Sequence, residues 1–190
     1  GADGRLELWD ATTGETVMAT RRQDVWVRSC AFSPAGRRLL SATSDGHLWL
    51  WDAANGESLL KLNTHQGWVN CALFAPDGNH MLSAGEDGSV RLWDAISGKE
   101  LMTLYGHDGW IWSCAFSPDG RSLIYAGEDG SLRLWDLVSG KALLSLRGHN
   151  GWLWSCAFSP DGRRLLSAGR DGTLRLWDAT SGDALMTLHG

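Results

Sequence analysis

The chain has 190 residues, 43% of them hydrophobic and 21% charged, which is ordinary for a globular protein and enough for one or two domains. Its net charge of −5 argues against a nucleic-acid surface, which needs a basic stripe. No apolar run approaches the length that crosses a bilayer, and no charged-apolar-small leader opens the chain, so neither membrane nor nucleic acid is expected as a partner. Tryptophan is the outlier: twelve are present, against two Tyr and four Phe, so Trp occupies chosen positions.

In chain order, the first predicted elements are two strands, around Leu6–Trp9 and Thr16–Thr20. From there the sequence repeats. Trp-Asp pairs fall at 9/10, 51/52, 93/94, 135/136 and 177/178, a step of 42. Pro34, Pro76, Pro118 and Pro160 keep that step, as do Trp26, Trp68, Trp110 and Trp152.

The unit from Gly106 to Arg147 shows what each repeat contains. Gly106-His107-Asp108-Gly109 reads as a turn. Trp110 to Phe116 is an apolar run of strand length, consistent with burial on both faces. Ser117-Pro118-Asp119-Gly120 is a tight turn, with proline presetting φ. Ser122–Ala126 is a second strand, and Glu128-Asp129-Gly130 turns it into a third. There Leu132, Leu134 and Asp136 alternate with Arg133 and Trp135. Ala142–Leu146 is a shorter fourth strand. Four short antiparallel strands make a sheet that must pack on its neighbours to bury both faces. The predicted organisation is a half-unit over residues 1–22, then full units over 23–64, 65–106, 107–148 and 149–190, all one body.

Gly-His, then Phe-Ser-Pro-Asp-Gly, then Asp-Gly, then Leu-Trp-Asp, complete in the last two units and with Asp-Gly and Leu-Trp-Asp recurring five times across the chain, resembles the WD40 repeat. The resemblance implies an all-β fold of propeller blades, each a four-stranded antiparallel sheet whose first strand lines a central channel. It also implies a structural hydrogen-bond network in each blade. Its members are His65, Ser83, Asp87 and Trp93 in one blade, and His149, Ser167, Asp171 and Trp177 in another. Two blades depart from that pattern. Gln23 stands where His is expected, beside Ser41, Asp45 and Trp51. Tyr125 stands where Ser is expected, beside His107, Asp129 and Trp135. These two networks are expected to be incomplete or rebuilt. A His, Ser and Asp repeated in every blade serves no oxyanion site, so no catalytic residues are assigned and the chain is not expected to be an enzyme.

The resemblance places partner binding on the face around the channel mouth. The candidate residues are the recurring Trp26, Trp68, Trp110 and Trp152, and Arg28, Asn70, Trp112 and Trp154 two positions on. Before the hairpin Asp come Glu86, Glu128 and Arg170. Aromatic anchors beside Arg are the usual makings of a binding hot spot. The alternative for the four recurring Trp is packing between blades. Arg37-Arg38 and Arg163-Arg164 read as solvated turn residues. Three of the four cysteines, Cys30, Cys114 and Cys156, keep the repeat period. Equivalent positions in neighbouring blades are expected to lie too far apart to bridge, so all four, with Cys71, read as buried free thiols. That suggests a reducing compartment, the cytoplasm. No Cys-x-x-Cys pair or His partner suggests a metal, and no cofactor is expected.

Four full blades with an ordinary wedge angle leave a gap, and the exposed ends should drive pairing of two chains into one closed ring. The leading expectation is therefore a non-catalytic scaffold that binds a protein or peptide and closes its ring as a homodimer. One alternative is an engineered or truncated repeat array that self-assembles without a natural ligand. Another is a small-ligand binder or enzyme using the channel.

Overall fold

The computed structural model describes residues 4–20 and 25–190. All of its regular structure is strand. A two-stranded sheet, β1 (Glu7–Trp9) and β2 (Thr16–Ala19), comes first. Four four-stranded antiparallel sheets follow in strict chain order. The first blade has β3 (Val27–Phe32), β4 (Arg38–Thr43), β5 (His47–Asp52) and β6 (Ser58–Asn63). The second has β7 (Val69–Phe74), β8 (His80–Gly85), β9 (Ser89–Asp94) and β10 (Glu100–Tyr105). The third has β11 (Ile111–Phe116), β12 (Ser122–Gly127), β13 (Leu132–Asp136) and β14 (Lys141–Leu146). The fourth has β15 (Leu153–Phe158), β16 (Arg164–Gly169), β17 (Thr173–Asp178) and β18 (Ala184–His189). The chain is thus four full blades and a partial one.

Local chemistry sets each turn. After the first strand of each blade, the glycine of the proline turn adopts positive φ and donates its N–H three residues back: Gly36 to Ser33, Gly78 to Ala75, Gly120 to Ser117 and Gly162 to Ser159. The Asp of each Trp-Asp pair builds the turn after the third strand. Asp52 accepts the N–H groups of Ala54 and Asn55, Asp94 those of Ile96 and Ser97, and Asp178 those of Thr180 and Ser181.

The core lies between sheets. Strand alternation sends Leu40, Ala42, Leu48 and Leu50 forward from the first blade onto Val69, Ala72, Phe74, Met81 and Trp93 of the second. Leu82, Ala84, Val90 and Leu104 meet Ile111, Leu123 and Tyr125 in the same way, and Ile124, Leu132 and Leu146 meet Leu153, Leu165 and Trp177. Met18, Leu6 and Leu8 of the partial blade pack on Leu39, Trp49 and Trp51.

Forward-facing positions buried at every internal junction open at the fourth blade. Leu40, Leu82 and Ile124 are 0% exposed, whereas their equivalent Leu166 is 39% exposed. Leu174 is 41% exposed, against at most 1% for Leu48, Val90 and Leu132. At the other end, no inner strand of the partial blade lies against β3 among the described residues. Phe32 is consequently exposed where Phe74 is buried, and Cys30 is exposed as well. Cys30 therefore departs from the expectation of four buried thiols, because no described strand covers its side of the sheet.

Arg38 also departs from expectation. Its guanidinium crosses to the second blade, donating to the carbonyls of Ala95 at 2.9 Å and Gly78 at 2.6 Å and lying over the Phe74 ring. It is an inter-blade contact and not a solvated turn residue, because the next blade's turns sit beside it. Arg37, Arg163 and Arg164 are exposed.

Candidate functional site

Hydrogen-bond networks within the blades account for most of the recurring polar residues. In the second blade, His65 Nδ1 lies 2.8 Å from Asp87 Oδ1 and its Nε2 lies 2.8 Å from Ser83 Oγ. Trp93 Nε1 donates to the same Ser83 Oγ at 3.0 Å. The fourth blade repeats this through His149, Asp171, Ser167 and Trp177. A further member was not legible as one: Ser89 and Thr173 each donate a hydroxyl to the Asp, at 2.7 and 2.8 Å. The signal available was a Ser or Thr two residues after most of the hairpin Asp residues. Burial raises the Asp87 and Asp171 carboxyls, but hydrogen bonds outweigh it and hold both well below the usual carboxylate range. On Asp87 the donors are His65 and Ser89; on Asp171 the backbone N–H of Asn150 leads, followed by His149 and Thr173.

The two irregular blades resolve differently. In the third, His107 Nδ1 lies 2.6 Å from Asp129 Oδ1 and Ser131 donates to the same oxygen, so that half survives. Tyr125 is wholly buried, edge-on to His107 and stacked on Trp135. Its hydroxyl has no hydrogen-bond partner, and neither do His107 Nε2 and Trp135 Nε1. This network is incomplete. Burial pushes the His107 pKa down, outweighing the raising effect of Asp129.

The first blade is rebuilt on the described side. Trp51 Nε1 donates to Ser41 Oγ at 2.9 Å as in other blades. Asp45 is instead held by Thr43, whose hydroxyl donates at 2.6 Å, and His47 Nδ1 lies 3.0 Å from its other oxygen. Thr43 stands where the other blades have Gly85, Gly127 and Gly169. A Cβ on any of those glycines would run into the ring of His65, His107 or His149. The blade that has Gln23 in place of His is the blade that has Thr in place of Gly. Gln23 itself lies outside the described residues.

The candidate binding face is a belt of tryptophans. Ring centroids step from Trp26 to Trp68 (5.9 Å), to Trp110 (6.4 Å), to Trp112 (5.4 Å), and on to Trp152 (6.1 Å) and Trp154 (5.3 Å). Trp26 is 50% exposed, Trp154 44% and Trp110 37%; Trp68, Trp112 and Trp152 are half-buried beneath them. The guanidinium of Arg28 lies 4.6 Å over Trp68, and that of Arg170 5.1 Å over Trp152. Glu86 and Glu128 each accept the backbone N–H of the belt residue in their own blade, Trp68 and Trp110. Asn70 accepts from Arg28 and donates to the Ile111 carbonyl of the next blade. All eleven candidate face residues thus fall in or beside one belt.

One structural device was not visible in the sequence. The pairing of the first and second strands shifts register between Val27 and Ser29, Val69 and Cys71, Ile111 and Ser113, and Leu153 and Ser155. The extra residues at these bulges are Arg28, Asn70, Trp112 and Trp154, the positions that vary between blades. A bulge re-aims its side chain and breaks the alternation of the strand. That is how this position joins the belt.

Among the described residues no group of three or more His, Cys, Asp or Glu is placed to hold a metal ion, and no helix is long and apolar enough to cross a membrane. The family model described as "WD domain, G-beta repeat" matches residues 15–52, 56–94, 98–136 and 140–178. No curated protein matches the chain.

Proposed function

The chain belongs to the WD40 repeat family, and we propose that it is a non-catalytic scaffold binding a protein or peptide on the channel face of a β-propeller. Members of this family are generally protein-interaction scaffolds. The observation that carries the reading is the belt of six tryptophans, partly exposed and overlaid by Arg28 and Arg170. Exposed apolar surface of this kind, edged by cations, marks a site of interaction. The His, Ser and Asp residues that resemble catalytic groups are occupied in the hydrogen-bond networks within their own blades. Trp112 and Trp154 are the proposed anchors, with Arg28, Asn70, Glu86, Glu128 and Arg170 setting specificity around Trp26, Trp68, Trp110 and Trp152.

The proposal includes a homodimer that closes one ring. Its support is the forward face of the fourth blade, where Leu166, Leu174, Met186 and Leu188 are exposed. An apolar cleft lined by Leu6, Leu8, Cys30, Phe32 and Leu39 beside the partial blade is the complementary surface on a second copy.

The test uses a displayed peptide library selected on the folded chain. A selected peptide should lose at least about tenfold in affinity on Trp112→Ala with Trp154→Ala. Arg37→Ala, on a turn outside the belt, should leave the affinity unchanged. Failure to select any peptide, or affinity indifferent to both Trp, would overturn the scaffold reading in favour of an array that assembles without a ligand.

A further inference from the structure

Cys71 breaks the register of the other cysteines. Cys30, Cys114 and Cys156 occupy one position of the first strand; Ala72 holds that position in the second blade, and Cys71 comes one residue before it. A shift of one residue along a strand moves a side chain to the opposite face. Cys71 therefore stands where the other blades have Ser29, Ser113 and Ser155, of which Ser29 and Ser113 face forward onto the next blade.

The serines show what this position touches. Ser29 Oγ accepts the backbone N–H of Ala72 at 3.2 Å and donates to the Ala72 carbonyl at 3.5 Å. Ser113 Oγ accepts the N–H of Cys156 at 3.2 Å and lies 3.7 Å from Cys156 Sγ. A short side chain on one strand thus reaches the backbone of the next. The same relation at the junction of the second and third blades sets Cys71 against Cys114, and Cys71 Sγ lies 4.0 Å from the Cys114 carbonyl oxygen. Both cysteines are buried in the same inter-blade core. Nowhere else among the described residues does a first strand set thiol against thiol.

We propose that Cys71 and Cys114 are an oxidisable dithiol, a modification site that closes to a disulfide between adjacent blades when the chain meets a peroxide. Burial pushes the Cys114 thiol up, and the disulfide is the same whichever sulfur reacts first; the first step is assigned to Cys71, whose Sγ lies against the Cys114 carbonyl. The Cys71 thiolate attacks a peroxide oxygen, the O–O bond breaks, and a sulfenic acid and one water form (for hydrogen peroxide). The Cys114 sulfur then attacks the Cys71 sulfur. The S–O bond breaks, the S–S bond forms, and the Cys114 proton leaves with the hydroxyl as a second water. Two thiols lose two hydrogens in all, and one peroxide is reduced to two waters. Reduction by a small thiol reverses the step.

The closed pair would cross-link one blade to the next across a full repeat, which restricts the unfolded chain. Cys156 is not part of the pair: it faces Ser113, and burial raises its thiol to about 12.

The test is a non-reducing peptide map of the folded chain after treatment with hydrogen peroxide and blocking of remaining thiols. The peptides carrying Cys71 and Cys114 should be joined, with the mass of the pair reduced by two hydrogens, and dithiothreitol should separate them. The oxidised chain should melt about 5 °C higher than the reduced one. Cys71→Ser and Cys114→Ala install the residues that other blades carry at these positions, so both variants should fold, and both should lose the link and the shift. If Cys71 and Cys114 are alkylated as separate thiols after peroxide, or if Cys71 is recovered linked to Cys30, the proposal is overturned.

Discussion

Tyr125 shows how far one residue can alter a repeated network. Its hydroxyl, His107 Nε2 and Trp135 Nε1 are all buried and unpaired, while the aromatic ring fills the space between them. An unpaired buried hydroxyl costs free energy that its ring does not return. Tyr125→Phe should therefore stabilise the chain by about 1 kcal/mol in urea unfolding. A loss of stability would mean that the hydroxyl has a partner. Asp87 sits in a complete network, and its carboxyl is held well below its ordinary value, with burial opposing and His65 and Ser89 prevailing. A depressed carboxylate contributes stability that is present above its unfolded pKa, near 3.9, and lost as pH falls toward the folded value. The wild-type chain should lose stability steadily below about pH 4, and Asp87→Asn should flatten that part of the profile while lowering stability at pH 7. An unchanged acid limb would contradict the assignment. His107 acts over a different range. Its folded pKa is lowered by burial, so the unfolded chain takes up the proton first, and stability falls as pH drops through about 6.5. Gln23 and Tyr125 were legible as departures from the repeat, but a network's repair depends on which neighbour can reach the vacated atoms. The pairing of Thr43 with His47 around Asp45 is not written in any single position.

Within a blade, the turns and strands were legible because each rests on local chemistry: positive-φ glycines, a capping Asp, and alternation of apolar residues. The bulges were not. They depend on how two strands pair, which the alternation of one strand cannot report, and they turn Trp112 and Trp154 into belt residues. Cys71 was legible as a cysteine off the period, but its partner across the junction was not, since that follows from how the blades pack. The glycine at the end of the second strand is a constraint of this scale too. A Cβ at Gly85 would lie 2.5 Å from the Trp68 carbonyl and 3.1 Å from His65 Cγ. Gly85→Ala should cost about 2 kcal/mol by crowding the turn. Adding His65→Gln should restore part of this, a coupling of about 1 kcal/mol in a double-mutant cycle. Additive effects would show that the His and Gly positions do not constrain each other.

For the whole molecule, three junctions bury the same kinds of side chain between successive blades, and the fourth blade presents that face to solvent. A fully buried leucine contributes about 1.5–3 kcal/mol, so a row of such positions is a strong drive to association. Replacing Leu166 and Leu174 together by Glu should abolish pairing without unfolding the chain, because neither side chain is needed at an internal junction. The partial blade was legible as two strands, but not which surfaces it would leave open beside Phe32 and Cys30; that depends on packing between sheets. The proposed completion of this array by a second copy is open to light scattering on the size-exclusion peak over a range of concentrations. The wild-type peak should have twice the 20.7 kDa chain mass, falling to the single mass on Leu166→Glu with Leu174→Glu. A wild-type mass of 20.7 kDa at every concentration would contradict it.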